Sequence, residues 1–499
     1  MLPISPIFAN RWLTALPSLW LLGAGACVAI VSMIVIWGIM RACNPRLALE
    51  AKSSLQDGFL GPYVWLLVAL SAVAIAFTPL VPLPSMSRSL VRLVTGGEVS
   101  KTITIQPNAK LQSIPLDLRP QELQSLTLES SDSIVVRTQQ AIEGFALTKA
   151  PDIDLVADTP WTWERSSGET NPFLGQRAEL EAINQSDAAV PLTVQWSVAP
   201  EHTQVALFPI SAIVFLAIAI VYMLFRLIPR RVAAIASATA KEALGQPIFS
   251  VALIAGAVLL VAFIVIPYNT FGEDVKMLKD SGLTLIKVLS LLVVVWTASV
   301  AVSEEIEGRT AMTVLSKPVK RWQFVIGKYA GLVMVASLVF LILGSVLLST
   351  TSLKVIYDAR ESSKTDPIWI DCANEMITVV PGLVLSFLET ILLAAVSLAV
   401  STRLSMVPNL IICFMIYALG HLVPLIVQSS VGKFAIVRFV GQLFATLLPV
   451  LEHFTIEAAV VGGVAVPWDY LGWASLYAGL YVTVALLIAL VLFQDRDLA

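Results

Sequence analysis

Nine runs of roughly 20 apolar residues constrain this chain more than any other feature, because a bilayer core of about 30 Å is crossed by a helix of that length. In lipid, every backbone N–H and C=O must be satisfied within the segment. The runs fall at 17–40, 63–83, 205–225, 249–268, 282–302, 329–350, 376–400, 406–427 and 471–493. Each is read as a membrane-spanning helix. Composition agrees: 13% of the side chains are charged, 57% are hydrophobic and the mean hydropathy is +0.82, outside the range of soluble domains. A simple cytosolic enzyme is excluded. The 32 basic and 35 acidic residues leave a net charge of −3, so no overall basic field attracts a nucleic acid.

A further apolar stretch, 434–450, carries Arg438 and Gln442 and ends at Glu452 and His453. It is a poor span and reads as a re-entrant outer segment over 434–453. The first 16 residues lack a basic stretch before a short apolar core, so the first run reads as a retained span rather than a cleaved signal. Cys27, Cys43, Cys372 and Cys413 are too scattered for a disulfide scaffold.

Lys and Arg concentrate in cytoplasmic loops. One alternation of loops holds about fourteen, from Arg41 to Arg496, and the opposite set about eight, including Lys276, Lys279, Lys354 and Arg360. This predicts an external N-terminus and an internal C-terminus.

Residues 85–204 hold 24 of the 67 charged side chains. Alternation at period two marks strands at 101–105, 123–129, 133–137, 177–183 and 191–197, with turn residues between them. The expectation is a β-sandwich-like domain inserted between spans on the extracytoplasmic side. Trp161 and Trp163 share one face of a strand and read as packing residues. Asp152, Asp154 and Asp158 lack the glycine and terminal glutamate of a calcium loop.

Residues 230–248 are Ala-rich and mildly amphipathic, and read as a helix on the inner membrane surface. The stretch 303–328 follows the fifth span. It places Glu304, Glu305 and Glu307 at a helix exit, breaks at Gly308 and Pro318, and resumes near Arg321. Met312, Val314, Leu315, Trp322 and Phe324 are interspersed with Arg309, Lys317, Lys320 and Arg321, a mixture that suits a docking surface.

Here the sequence resembles the ABC-2 family of ATP-binding-cassette transporter permeases. That family's pattern Glu-x-Glu-x-Gly-Thr, Leu-x-x-Pro-x-x-Arg, Gly-Lys falls on Glu305, Glu307, Gly308 and Thr310 (with Arg309 inserted), then Leu315, Pro318 and Arg321, then Gly327 and Lys328. The tail from Phe493 to Leu498 and the elbow-like stretch ending at Pro247 are also similar to the family's. The resemblance covers roughly residues 230–499 and implies a permease core at 249–499 whose coupling loop seats on a cytoplasmic ATPase subunit. It also implies pairing with a second permease copy and location in the cell (inner) membrane. Residues 1–84 with two spans, the domain at 85–204 and the third span at 205–229 depart from the minimal pattern.

The chain carries no Gly-x-x-x-x-Gly-Lys-Ser/Thr string to cradle nucleotide phosphates. ATP and Mg²⁺ are therefore expected on a partner subunit, and the chain itself is not expected to be an enzyme. His-Glu-x-x-His and Gly-x-Ser-x-Gly are likewise missing. The competing expectation is a non-transporting anchor or mechanotransducing assembly whose β domain binds an external partner.

Ionisable residues inside spans are the other candidates, since a charge at mid-bilayer is costly unless it is paired or wet. Lys287 and Glu389 differ in depth by about 9 Å, a gap a lysine stem can largely cover. Either they meet, or Lys287 snorkels outward and Glu389 is neutral or bonded to a hydroxyl. His421 and His453 have no spaced partner residue in the sequence for a metal site.

Overall fold

The computed structural model describes residues 12–45, 49, 59–107, 112–138, 152–167, 170–173, 178–184, 188–227, 230–266, 273–301, 320–362, 365–428, 436, 439–441, 443, 448–455 and 466–494. The chain divides into two compact units, Pro82–Ala206 and the remainder.

The larger unit is helical. Its elements are α1 (Leu16–Cys43), α2 (Leu60–Phe77), α4 (Leu207–Leu227), α5 (Arg230–Gly245), α6 (Pro247–Val265), α7 (Asp274–Ser299), α8 (Arg321–Glu361), α9 (Trp369–Ser401), α10 (Met406–Gln428) and α11 (Trp468–Gln494). Among the described residues eight helices are long and apolar enough to cross a membrane: all of these except α5 and α10, the latter a shorter apolar helix over Met406–Leu422. This is a mostly helical, membrane-embedded protein.

Burial sorts the spans. About two thirds of the most apolar stretch of α8 is buried, against 22% for α6 and α11. So α7, α8 and α9 form the centre, and the outer helices turn bare Val, Ile and Leu outward, as lipid-facing surfaces do. Helix α1 is sandwiched through close backbone approach: a Cβ on Gly23 would lie 2.4 Å from the Leu70 carbonyl of α2, and one on Gly25 would lie 3.0 Å from the Phe208 carbonyl of α4. Tyr63 of α2 donates from its hydroxyl to the Phe215 carbonyl of α4 at 2.5 Å.

At 41 residues, α8 is about 60 Å long, twice the bilayer core. The expected span 329–350 is its middle. Lys354, read from the sequence as a loop residue, lies instead in the last turns of α8 and is wholly buried. Its Nζ donates to the Ile264 and Ile266 carbonyls at 3.2 and 2.9 Å, capping the end of α6, and sits 3.2 Å from Asp274 Oδ2. Lys279, also read as a loop residue, is buried in α7 and pairs with Glu375 and Thr378 of α9. Charges counted as outer-loop markers thus lock α6, α7, α8 and α9 at one end. Lys354→Met is expected to cost about 3–5 kcal/mol, the cost of breaking a buried pair, read as a lowered midpoint of thermal unfolding in micelles.

The second unit begins with a helix, α3 (Leu83–Thr95), which the strand-based reading did not anticipate. Eight strands follow among the described residues: β1 (Gly97–Ile105), β2 (Gln112–Leu116), β3 (Leu123–Ser130), β4 (Ile134–Thr138), β5 (Ile153–Leu155), β6 (Trp161–Glu164), β7 (Ala178–Asn184) and β8 (Val190–Val198). They form two antiparallel four-stranded sheets, β1-β8-β3-β6 and β2-β7-β4-β5. Alternate residues, among them Leu126, Leu128, Val136, Leu180, Leu192 and Val194, share one core. Trp163 is in that core and Trp161 packs against it. Asp152 is tied to Arg137 by two bonds of 2.6 and 2.9 Å, which raises the Arg137 guanidinium above its usual pKa. Among the described residues no cluster of three or more His, Cys, Asp or Glu is placed to hold a metal.

Candidate functional site in the helical unit

Three central or adjacent helices each bring one polar side chain to the same place. Glu389 of α9 is fully buried, Lys287 of α7 is 4% exposed, and Lys287 Nζ lies 3.6 Å from Glu389 Oε2. The structure thus brings together the two intramembrane residues singled out by hydropathy. The lysine stem bridges the difference in depth.

The third member was not legible. His421 Nε2 lies 2.8 Å from Glu389 Oε1, with Nε2 carrying the hydrogen when Glu389 is ionised. His421 is therefore not an isolated histidine but the second partner of a buried carboxylate. Its ring meets Tyr417 edge-on at 4.8 Å, and the Lys287 ammonium lies 6.0 Å from the centre of the Tyr417 ring, at the edge of cation–π range. No sequence spacing links residues 32 and 102 positions apart to one site; only the α7–α9–α10 packing does.

Ionised Glu389 offsets the Lys287 charge, so the pair is neutral in surroundings where a lone charge would cost several kcal/mol. Among the described residues Glu389 Oε2 has no hydrogen-bond partner beyond the 3.6 Å ion pair, and the buried Ser290 Oγ, one turn from Lys287, has none either. The group therefore keeps unused polar capacity, where most buried polar atoms are satisfied.

A second buried polar knot ties the same three helices. Asn409 of α10 donates to Ser299 Oγ of α7 at 2.8 Å and to Ser397 Oγ of α9 at 3.0 Å, and accepts from Cys413 at 3.3 Å. These hydrogen bonds are complete, which reads as packing rather than chemistry.

Of the expected coupling residues, Glu304, Glu305, Glu307, Gly308, Arg309, Thr310, Leu315, Lys317 and Pro318 lie outside the described residues. So does most of 434–453, of which 451–454 forms a short 3-10 turn. Lys320, Arg321 and Trp322 are described. Lys320 is the N-cap of α8, its backbone N–H donating to Gln323 Oε1 at 3.1 Å. Arg321 donates from Nη1 to the Gln494 carbonyl at 2.7 Å and so caps the last turn of α11, where a cation also meets the negative end of the helix dipole. Trp322 is 39% exposed.

The Ala-rich helix α5 packs along the first turns of α8. Its Ala236, Ala240 and Ala243 are buried. A Cβ on Gly327 would lie 2.8 Å from Ile235 Cβ, and one on Gly331 would lie 2.7 Å from Thr239 Cβ and 2.9 Å from the Ala236 carbonyl. This is a small-residue crossing with four-residue spacing, the kind that lets two backbones approach in a membrane. Gly327, quoted for its motif, thus has a local packing reason. Phe324 stacks on Phe493 of α11 at 5.4 Å.

No family model matches the chain, and no curated protein matches it.

Proposed function

We propose that the chain is the permease subunit of an ATP-binding-cassette transporter, an exporter in which a separate ATPase subunit seats on residues 303–328. The support is the string from Glu305 to Lys328 together with the seating of its C-terminal end. The observation that carries the reading is that α8, whose first turns hold the end of that string, is clamped by α5 at Gly327 and Gly331 and by α11 at Arg321 and Phe324. A force on the loop passes directly into α8, the long central helix, and from there to α7 and α9, which hold Lys287 and Glu389.

In this reading the loop and the C-terminus are cytoplasmic, Met406–Gln428 is a ninth span, and the β unit is extracytoplasmic. Two permease copies and two ATPases make the assembly. Mg²⁺ and ATP bind the ATPases, and Lys287, Glu389 and His421 border the route.

Replacing Glu304, Glu305 and Glu307 together by Gln is expected to reduce co-purification of the ATPase subunit at least about tenfold, since rim charges steer and register docking. Undiminished recovery overturns the seating. Arg321 belongs in a separate variant, because its loss also uncaps α11.

The separately cored β unit favours a second reading, a mechanotransducing assembly that moves no substrate. Reconstituted vesicles decide between them: substrate-stimulated ATP hydrolysis with accumulation in the lumen marks the transporter, and ATP hydrolysis indifferent to every solute marks the other.

A further inference from the structure

Helix α3 is put together inside out for a soluble domain. Its polar side holds it to the β unit: Arg92 Nε meets Glu122 Oε2 at 3.0 Å, Arg92 Nη2 donates to the Asp117 carbonyl at 2.8 Å, and Ser89 is buried. Met86 is its one buried large apolar side chain.

The other side carries Leu83, Leu90, Val91 and Val94 at helical spacing, with Leu93 at the margin. Val94 is 87% exposed and Val91 60%, and Leu83 and Leu93 are also exposed. A stripe of this kind normally faces a core; here no described part of its own unit covers it, so it needs another apolar surface.

Chain continuity says which surface. The span candidate that precedes α3 runs to Leu80, and only Val81 and Pro82 separate it from Leu83. Three residue steps reach at most about 10 Å, so α3 starts within headgroup depth of the point where α2 leaves the lipid. Arg88, exposed on the polar flank of the stripe, is placed to meet phosphate.

We propose that α3 is an interfacial anchor, lying in the membrane plane with Leu83, Leu90, Val91 and Val94 in the headgroup–acyl boundary of the leaflet where α2 ends. Its occupant is phospholipid. The inference rests on α2 crossing the membrane and is independent of the ATPase reading.

The test uses the full-length protein with Cys27 and Cys43 changed to Ser, since the remaining two cysteines are buried. Val91→Cys, Val94→Cys and, as a control on the exposed face of β1, Thr102→Cys each carry one environment-sensitive fluorophore. The proteins are reconstituted in phosphatidylcholine–phosphatidylglycerol vesicles. Both α3 positions are strongly exposed, so folding is not at stake, and a matching elution profile checks it.

The expected result is quenching by a lipid with a nitroxide high on its acyl chain, and quenching by aqueous iodide about fivefold weaker than at the control, as burial in the interface requires. Iodide quenching equal to the control, without nitroxide quenching, overturns the proposal in favour of a solvated helix. Protection from both quenchers overturns it in favour of a protein cover, such as a second copy of the chain.

Discussion

Glu389→Leu is expected to destabilise the folded protein by about 3–5 kcal/mol, because it leaves the Lys287 ammonium buried without its counter-charge. The same change removes the acceptor of the His421 bond. Adding Lys287→Met should recover most of the loss, since an apolar pair of similar volume avoids desolvating either charge. His421→Ala alone should cost less, about 1.5–3 kcal/mol for one hydrogen bond to a charged group. Reversible unfolding of each variant in mixed micelles, analysed as a double-mutant cycle, reads the coupling. The single variant Lys287→Met completes the cycle, and a double variant whose loss equals the sum of the two single losses would show that the two residues do not interact energetically.

The milder Glu389→Gln separates fold from function. It keeps the shape and a hydrogen-bonding side chain but removes the charge. If the group borders the route, this variant should stay folded and lose substrate-stimulated ATP hydrolysis in the reconstituted complex. Full stimulation confines Glu389 to packing.

The second large effect is expected at the α5–α8 crossing. Even Gly331→Ala places a methyl 2.9 Å from the Ala236 carbonyl, a backbone atom that cannot rotate away. Overpacking of this kind costs about 1–3 kcal/mol, and Gly331→Leu should exceed that range by prising the helices apart. Gly327→Ala should be milder, because its nearest atoms belong to the Ile235 side chain. Thermal unfolding ranks the three. With the proposed coupling, Gly331→Ala should also retain the ATPase partner while losing stimulated turnover, because the loop still docks but α5 no longer braces α8.

Much of the scaffold was legible because its signals are local. Apolar runs located the long helices among the described residues, since one residue after another must face lipid or a helical core. Five of the eight strands announced themselves by period-two alternation, and the paired Trp161 and Trp163 marked a sixth. The strands that did not are edge strands. Strand β2 carries Pro115, tolerated because an edge has an unpaired side, and β5 has only three residues. Three residues are too few to build a pattern, and the proline demotes the five-residue run of β2. Helix α3 was missed because its three serines, one proline and two arginines read as the start of a polar domain.

What the sequence determined alone is a many-helix membrane protein with one inserted β region and two charges, Lys287 and Glu389, too deep to be incidental. What only the tertiary structure decided is the company those charges keep. His421 joined Glu389, Lys354 and Lys279 moved from loop markers to buried clamps, and Arg321 became a cap on α11. The physical reason is common to all four. Hydropathy and periodicity report the environment of a residue averaged over its own helix, whereas an ion pair or cap depends on the rotation and depth of a second helix, set by side-chain packing across the whole bundle.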